Sequence, residues 1–324
     1  MSRHICTKQL YKSYLQASSV RYSGLALSEV SPCEISHDAV SRWLKDKHFR
    51  PREVWEIAKK HINASEESIL ICDDTVLKKT RSQKIELVKH QYSGNAHDVI
   101  AGIGFGNLIW HCLNSKEYVP IDYRVYDKKG DGKSKNTHFC QMLSLAKSRG
   151  LNPSAVVMDS WYSSLDNLKA IRDHGWTWLT TLKKNRIVNR HERLEDLVIP
   201  EEGLLIHLRG YGWITVFKFV GTNGRIDYIA TNKENTNRQE VETLVRARWC
   251  VEVYHREIKQ TCGIERCQSR TGRAQRNHIF LAISAWFEQH KIRLTKRMTL
   301  YEQNWQVIQE AVKEKIRCLM MTAC

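Results

Sequence analysis

Two short apolar runs in this sequence each end in acidic residues. The first run occupies residues 68–72 and is followed by Asp73 and Asp74. The second occupies residues 154–158 and is followed by Asp159. Continuous apolar runs of this length, bounded by polar residues, are typical of strands that are buried on both faces of a sheet. The pattern therefore predicts two buried strands whose C-terminal ends emerge at carboxylates.

The hydrophobic patterns elsewhere in the sequence predict further strands and helices around these two strands. Further strand patterns occupy residues 97–105, 118–126 and 176–182, and helical patterns occupy residues 137–148 and 164–174. Three strands, a helix, a strand, a helix and a fifth strand form the order of the ribonuclease H-like fold, so we predict an α/β protein with a ribonuclease H-like mixed sheet flanked by helices. The first and fourth strands are neighbours in that fold, which would bring Asp73 and Asp159 to one edge of the sheet.

A long helix predicted at residues 238–260 carries a third acidic residue. Arg248, Glu252, His255 and Lys259 are spaced 4, 3 and 4 residues apart, which puts them on one stripe of a helix. Such a stripe is often a solvated face with ion pairs between successive turns. The apolar residues beside it and the two upstream aspartates favour instead a site where Glu252 ligates a metal ion and the cations meet phosphates.

Three carboxylates that converge without enough cations between them repel one another strongly. Asp73, Asp159 and Glu252 would form such a set if the long helix packs across the sheet. Two divalent ions about 4 Å apart would relieve the repulsion, and such a pair can activate water and stabilise the leaving oxygen of a phosphodiester. Ligands that are all oxygen indicate two Mg²⁺ ions, with Mn²⁺ as a usable substitute.

Three other regions flank or interrupt the predicted catalytic domain, which covers residues 63–290. Residues 1–62 have helical patterns, and residues 25–44 form either a helix-turn-helix that reads DNA or an ordinary helical hairpin. Residues 187–233 alternate between apolar and polar positions between glycines, which predicts a β-rich insertion. Residues 291–324 form a C-terminal helical region whose apolar stripe either closes the domain or pairs subunits.

The charge of the chain indicates a polyanionic partner. Lys and Arg number 51 against 35 Asp and Glu, a formal net charge of +16, and a chain this basic most often binds nucleic acid. Basic residues recur just after the predicted catalytic strands, where they are either solvated surface or a groove that follows phosphates: Lys78, Lys79, Lys183, Lys184 and Arg186. In the insertion, Trp213 or Tyr211 could stack on a flipped base or simply pack the sheet.

Several features bear on the compartment of the protein. The apolar content of 42% indicates a folded chain. No run of about 18 apolar residues and no signal-peptide core is found, so we expect a cytoplasmic protein without membrane contact. The ten cysteines contain no CxxC pair and are interpreted as reduced, mostly buried thiols.

The long helix carries a recognisable signature. Its sequence resembles the corresponding segment of the DDE transposases of bacterial insertion sequences, in the branch with a Tyr-x2-Arg-x3-Glu-x6-Lys motif. Arg248, Glu252 and Lys259 fall at the spacing of this motif, and Val245 stands where tyrosine is usual. The missing tyrosine bears on an auxiliary DNA contact, because that residue is not a metal ligand in the family.

The two aspartate strands extend the resemblance to roughly residues 65–290. The first acid of the family lies in an apolar strand followed by Asp-x-Ser/Thr, which matches Asp73-Asp74-Thr75 and favours Asp73 over Asp74. The second matches Asp159 in Val-Val-Met-Asp-Ser-Trp-Tyr. The resemblance implies that Asp73, Asp159 and Glu252 are the catalytic metal ligands. Candidate DNA contacts are then Arg248, His255, Lys259, Lys183, Lys184, Arg186, Lys78 and Lys79.

The resemblance also implies an activity and partners. A transposase of this kind cuts DNA at the ends of its insertion sequence and transfers the strands to a target. Its expected partners are the terminal inverted repeats, the target DNA and a second copy of the chain in a synaptic complex, in the nucleoid of a prokaryote. Two other functions stay open at this point: a stand-alone metal-dependent DNA endonuclease of the same fold, and a DNA-binding protein without catalysis.

Overall fold

A computed structural model of the chain describes residues 6–18, 21–80, 84–94 and 96–321. Contacts divide the chain into two compact units. The helical unit comprises Met1–Ile57, Thr75–Gly104 and Val253–Cys324, and the sheet unit comprises Ala58–Asp74 and Phe105–Glu252. The domain boundaries expected from the sequence stay a prediction, because these units are defined by contacts rather than by independent folding.

The described residues form helices and strands in the following chain order. The helices are α1 Lys8–Ala17, α2 Gly24–Val30, α3 His37–Asp46, α4 Arg52–Ala58, α5 Lys128–Asp131, α6 Lys135–Ser148, α7 Leu165–Asp173, α8 Arg238–Gln260, α9 Gly272–Lys296 and α10 Leu300–Met321. The strands are β1 Ser68–Lys78, β2 Lys89–Ser93, β3 Asp98–Cys112, β4 Tyr118–Val125, β5 Ala155–Met158, β6 Trp178–Leu182, β7 Ile187–Val188, β8 Glu192–Arg193, β9 Leu204–Leu208, β10 Gly212–Val220 and β11 Ile226–Thr231.

The sheet unit contains the ribonuclease H-like sheet that the sequence predicted. Its strands lie in the order β4-β3-β1-β5-β6. Strand β1 pairs in parallel with β5, and β5 pairs in parallel with β6, whereas β3 and β4 are antiparallel. The mixed sheet flanked by helices is thereby confirmed. The continuous apolar run at the start of β1 is explained by burial, since residues 69–72 are each fully buried.

The predicted insertion is a β-meander that widens the same sheet. Strand β11 pairs antiparallel with β6, and β10 pairs antiparallel with both β11 and β9. The insertion therefore adds three strands at the free side of β6, so that β9 rather than β6 is the last strand on that side of the sheet. A separate two-stranded ladder of β7 and β8 lies between β6 and the meander in the sequence.

Serine caps fix where the helices of the sheet unit begin. The side chain of Ser134 accepts a hydrogen bond from the backbone N–H of Thr137 at the start of α6, and Ser164 accepts one from Asn167 at the start of α7. Each cap satisfies one of the four N–H groups that a helix leaves without an internal partner. The buried faces of these helices carry Phe139 and Leu168.

The helical unit is built around α9, most of whose residues are buried. The hairpin predicted at residues 25–44 is present as α2 and α3, and Val40, Trp43 and Leu44 of α3 are buried. The amide of Asn277 on α9 donates to the carbonyl of Leu44 at 2.8 Å. These contacts give the hairpin a packing role, and its use in reading DNA stays a prediction.

Two global expectations concern membranes and cysteines. Among the helices in the described ranges, none combines the length and the apolar character that crossing a bilayer requires. The nine cysteines that fall in those ranges are free thiols, and Cys33 and Cys318 are the exposed ones among them.

The end of α8 depends on a glycine. Gly263 follows the helix with φ of +60°, and a Cβ at this position would lie 2.4 Å from a ring carbon of Tyr22. The left-handed conformation alone costs a residue with a Cβ about 1–2 kcal/mol. The Tyr22 ring is buried, so it cannot move aside without disturbing its neighbours.

We expect Gly263→Ala to lower the free energy of unfolding by more than about 2 kcal/mol, because steric overlap adds to the conformational cost. Gly150→Ala is the matched control, since Gly150 has φ of +80° and no atom lies within 4 Å of the added Cβ. Urea unfolding of both variants measures the difference. An equal decrease in stability in the two variants would contradict the proposed overlap.

Candidate active site

The two aspartates predicted from the sequence lie on adjacent strands, at the point where the pairing of those strands ends. Asp159 follows the last residue of β5, as expected, whereas the strand end predicted at Asp73 was wrong, because β1 continues through Asp73 to Lys78. Strands β1 and β5 are paired up to Cys72 and Met158, and Asp73 and Asp159 are the next residue on each strand. Because the pairing is parallel, both carboxylates stand at the same end of the sheet, on backbones about 4.8 Å apart. Asp73 is buried, with 8% of its surface exposed, and Asp159 is half-buried.

Local hydrogen bonds hold Asp159 in place. Its Oδ1 accepts a hydrogen bond from the backbone N–H of Trp161 at 2.9 Å, as the cap of a short 3₁₀ helix over Ser160–Tyr162. The hydroxyl of Thr180 on β6 donates to the Asp159 carbonyl at 2.9 Å. The acid is therefore oriented by its own loop and by the neighbouring strand.

Helix α8 brings a cation and a third carboxylate toward Asp73. The Arg248 Nη1 lies 3.4 Å from Asp73 Oδ2. Burial and the nearby charge of Asp159 raise the pKa of Asp73 well above its usual range; Arg248 opposes this rise and Glu252 adds to it. The pKa of Asp159 is also raised, by burial first and by the charge of Asp74 next. Asp73, Asp159 and Glu252 are thus coupled through Asp73.

The adjacent aspartate, Asp74, has a different environment. The Lys135 Nζ lies 2.6 Å from Asp74 Oδ2, and the Tyr162 hydroxyl donates to Asp74 Oδ1 at 3.2 Å. Successive residues of a strand point to opposite faces of the sheet, so the two carboxylates separate. Asp74 is paired with its own lysine, although its charge still raises the pKa of Asp159, whereas Asp73 is the one coupled to both Arg248 and Glu252. This difference supports the choice of Asp73 made from the motif.

The donor atoms fit a divalent cation by their chemistry. Three carboxylates offer the oxygen ligands that Mg²⁺ and Mn²⁺ prefer. The pKa values of Asp73 and Asp159 are raised by burial first and by neighbouring carboxylates second, and a bound cation would offset both effects. Across the described ranges, no three His, Cys, Asp or Glu side chains are gathered into a finished ligand set. The fit rests on donor type and mutual repulsion.

The other two residues of the stripe belong to the helical unit. The Lys259 Nζ donates to Thr75 Oγ1 at 2.9 Å and to the Val76 carbonyl at 3.1 Å, and lies 3.4 Å from Glu265 Oε1. Lys259 thereby ties α8 to the second half of β1. His255 is 3% exposed, which favours a packing role over the DNA contact expected from the stripe.

The lysines that follow Asp73 on β1 have opposite exposures. Lys78 is exposed. Lys79 is 4% exposed, its ammonium donates to the carbonyls of Glu265 and Cys267, and burial lowers its pKa to about 8. A lysine whose donors are already used inside the protein is poorly placed to meet a phosphate, so burial favours a structural role for Lys79.

The basic residues after β6 border a groove in the sheet unit. Lys183 and Lys184 are exposed and Arg186 is half-buried. The Lys184 Nζ lies 3.2 Å from Glu195 Oε2. Lys183 and Arg186 line a groove of ≈ 750 Å³ together with Arg209 and Trp161.

Sequence reasoning assigned no role beside the acids to Trp161, Tyr162 or Lys135, and none in the groove to Arg209. Trp161 and Tyr162 follow Asp159 directly in the sequence, so their proximity to the site could have been inferred. Nothing local in the sequence pairs Lys135 with Asp74 or brings Arg209 beside β6, because these neighbours come from distant segments.

The comparisons with known proteins identify a family. Residues 64–287 match the family described as transposase DDE domain. Among solved structures, a piggyBac transposase synaptic complex with hairpin DNA is similar with a TM-score of 0.53 and 12% identity, covering 93% of this chain and 68% of that chain.

Two more distant similarities were also found. Human ENDOV gives a TM-score of 0.29 at 10% identity, covering 78% of this chain and 98% of that chain. A pre-cleavage Mos1 transpososome gives a TM-score of 0.19 at 12% identity, covering 54% of this chain and 59% of that chain. No curated protein matches the sequence significantly. At 12% identity, the piggyBac similarity concerns the fold.

The burial of His255 predicts a pH dependence of stability. Burial, and secondarily the charge of Lys259, lowers the pKa of His255 from 6.5 to about 3. The folded-state pKa is depressed, so the stabilisation is present above pH 6.5 and is lost as the pH falls toward 3. Within this window His255→Gln should reduce the pH slope of the free energy of unfolding by about 1.4 kcal/mol per pH unit.

Denaturant unfolding at several pH values between roughly 4 and 6 measures this slope. The slope, rather than the stability at one pH, is the readout, because the substitution itself alters packing. The control is His191→Gln at an exposed histidine, whose slope should equal that of the wild type. Parallel slopes for wild type and His255→Gln would disprove the assignment.

Proposed function

Because the chain belongs to the transposase DDE domain family, we propose that it is the transposase of a bacterial insertion sequence that moves by metal-dependent cut-and-paste. In this proposal it cuts DNA at the terminal inverted repeats and joins the freed ends to a target. The proposal includes membership of the branch with the Tyr-x2-Arg-x3-Glu-x6-Lys motif, with Val245 in the tyrosine position.

One observation carries the proposal: Asp73 and Asp159 follow the last paired residues of two adjacent parallel strands, and Glu252 acts on Asp73 through its charge. Asp73, Asp159 and Glu252 would hold two Mg²⁺ ions, with Mn²⁺ as a substitute. When bound, such a pair supplies an activated nucleophile and charge stabilisation at the leaving oxygen of a phosphodiester. The raised pKa values of the two aspartates support a demand for positive charge at this point.

The reaction exchanges phosphodiester bonds without an external energy source. In the first step, water attacks the phosphorus and the 3′ oxygen of the transposon end leaves. In the second step, that 3′-hydroxyl attacks a phosphodiester of the opposite strand or of the target, and one ester bond forms as another breaks. Because the second step conserves the number of ester bonds, it requires no ATP. The formation of a product in which the transposon ends are joined to target DNA distinguishes a transposase from a simple endonuclease.

The basic residues of the site act on the DNA backbone in this proposal. Arg248 already offsets the charge of Asp73, and its guanidinium is suited to contact a phosphate oxygen as well. Lys183, Lys184, Arg186 and the exposed Lys78 would follow the phosphates. Lys259 contributes mainly by anchoring α8 to the strand that carries Asp73, as its bonds to Thr75 and Val76 indicate.

The proposal extends to assembly and location. Helix α10 leaves an apolar stripe exposed at Trp305, Val312, Ile316 and Leu319, which supports pairing with a second copy of the chain in a synaptic complex. We propose that the dimer works in the prokaryotic cytoplasm on nucleoid DNA. Terminal inverted repeats on both sides of the gene would support the assignment further.

We expect Asp73→Asn, Asp159→Asn and Glu252→Gln each to abolish cleavage while leaving end binding in place. The loss should exceed the roughly 100-fold typical of residues that merely support metal ligands. The substrate is a plasmid carrying the gene's own genomic flanks, incubated with Mg²⁺. Excision is followed by gel electrophoresis and binding by gel shift.

Two matched variants make this test specific. Glu242→Gln makes the same change on the same helix at a residue paired with Arg246, and it should cut normally. Asp74→Asn tests the neighbouring carboxylate, and it should retain more activity than Asp73→Asn. Cleavage by Asp159→Asn or Glu252→Gln at the wild-type rate would contradict the assignment of these acids as catalytic residues.

The phosphate contacts predict a change in salt dependence. Removing one phosphate contact should flatten the plot of log binding constant against log salt by about 0.9. Lys183→Ala/Arg186→Ala should therefore flatten it by about 1.8. The control is Lys313→Ala/Arg317→Ala, whose side chains pair with glutamates on α10. An unchanged slope in the first double variant would exclude these residues as phosphate contacts.

A further inference from the structure

The groove beside Asp159 has features that phosphodiester cleavage alone does not require. We call it the Trp161 groove, and its lining includes Trp161, Leu165, Lys183, Arg186, Ile187 and Arg209. Its volume of ≈ 750 Å³ lies within the roughly 300–1,000 Å³ of small-molecule sites. It lies wholly within the sheet unit, on the loop after β5, the segment after β6 and the turn between β9 and β10.

The groove carries uncompensated positive charge. Lys183, Arg186 and Arg209 form no ion pair with any carboxylate in the part of the chain that the structure describes. Arg186 is half-buried, and its partial burial lowers its pKa from the usual value. Water solvates the exposed Lys183 and Arg209, but the half-buried Arg186 loses part of its hydration without gaining a carboxylate. Three cations around a groove lined by no acid offer a site for an anion such as a phosphate group.

The groove also presents an aromatic ring and apolar walls. Trp161 is 49% exposed, and Leu165 and Ile187 add apolar surface beside it. A ligand that carries only phosphate gains nothing from these side chains. A nucleotide matches both halves of the lining, because its base can stack on an indole while its phosphates meet the cations.

An exposed indole is able to stack on an unpaired base but not on one inside a duplex. Inside a duplex, the faces of a base are covered by the bases above and below it, and its edges alone are accessible in the grooves. An indole can stack on a base once that base leaves the duplex or extends beyond its end. The lining therefore suits an unpaired nucleotide better than a double-stranded backbone.

The ring is linked mechanically to the acid next to it. The backbone N–H of Trp161 donates to Asp159 Oδ1, and the Lys135 Nζ, which pairs with Asp74, lies 5.1 Å from the centre of the indole. Trp161 is thus positioned by contacts that also hold Asp159 and Asp74. A nucleotide held on this ring would lie beside the loop that carries Asp159.

From these observations we infer that the Trp161 groove binds an unpaired nucleotide of the DNA, with its base stacked on Trp161 and its phosphates held by the three unpaired cations. The inference deepens the proposed function, since it takes DNA as the ligand. It assigns a role to Trp161 and Arg209, and it places the base-stacking residue beside the second acid rather than at Trp213 in the meander.

The test compares the affinities of three kinds of fluorescein-labelled probe by anisotropy, in EDTA so that no cleavage occurs. The probes are a short blunt duplex, the same duplex with a short thymidine overhang at the 5′ or the 3′ end, and the overhang made of abasic nucleotides. Wild type should bind a thymidine overhang about ten-fold more tightly than the blunt duplex, the size of one stacked base. The abasic overhang should lose most of this preference.

Variants assign the preference to residues. Trp161→Ala should remove the preference for the thymidine overhang, and Trp161→Phe should keep part of that preference. Arg209→Ala should weaken the binding of the thymidine overhang and of the abasic overhang alike, because both carry phosphates. Tyr92→Ala is the matched control, since Tyr92 is an aromatic residue that is 63% exposed on β2 of the helical unit, and it should retain the wild-type preference. Full preference in Trp161→Ala, or its loss in Trp213→Ala instead, would overturn the inference.

The outcome is separable from that of the proposed function. A wild-type protein that excises DNA but binds blunt and overhang probes equally would overturn the nucleotide groove and leave the transposase. An overhang preference that depends on Trp161, in a protein that cuts no DNA in Mg²⁺, would sustain the groove and overturn the transposase. Thermal unfolding of each variant confirms that the folded protein is being compared.

Discussion

Repulsion between buried carboxylates is the constraint around which the sheet unit is arranged. Parallel pairing of β1 with β5 stops at Cys72 and Met158, and the next residue on each strand is an aspartate. Two unit charges held as far apart as neighbouring strand backbones, roughly 5 Å, would repel by about 3 kcal/mol at an effective dielectric constant of about 20. That is a large part of the roughly 5–15 kcal/mol by which a domain is stable, so it must be offset by a nearby cation.

The protein offsets this repulsion in two ways. The alternation of side chains along β1 sends Asp74 toward Lys135 and Tyr162, which leaves Asp73 as the acid that lies near Arg248. Arg248 counters the charge of Asp73 in part, and the pKa of Asp73 stays raised despite it. This remaining deficit is what makes the site suited to a divalent cation, whose two charges exceed the one that arginine supplies.

The net positive charge of the chain is divided between structural and exposed residues. Lys79 and Lys259 use their donors on backbone and side-chain oxygens inside the helical unit. Lys183 and Arg209 are exposed and border a groove. Net charge by itself therefore indicates the class of partner but not the surface that binds it, since buried cations add to the total and cannot reach DNA.

The sequence by itself determined the two apolar strands, the aspartates that follow their apolar runs and the helix that carries Glu252, but it ended the first strand too early, since β1 continues to Lys78. These features follow from local patterns: continuous apolar runs that demand burial, and a spacing of three and four residues that defines one face of a helix. It missed β2, a short strand of mainly polar residues in which no apolar pattern marks a strand.

The tertiary structure alone decided how neighbouring residues of the same type differ. The residues within each of two pairs, Asp73 with Asp74 and Lys78 with Lys79, are of the same type and adjacent in the sequence. Their environments differ because they depend on residues far away in the sequence, such as Lys135, Arg248 and Cys267. The same holds for His255, which shares a stripe with Arg248 but is buried. A linear pattern fixes the face on which a side chain lies, whereas its charge state and its access to DNA depend on what the folded chain packs against that face.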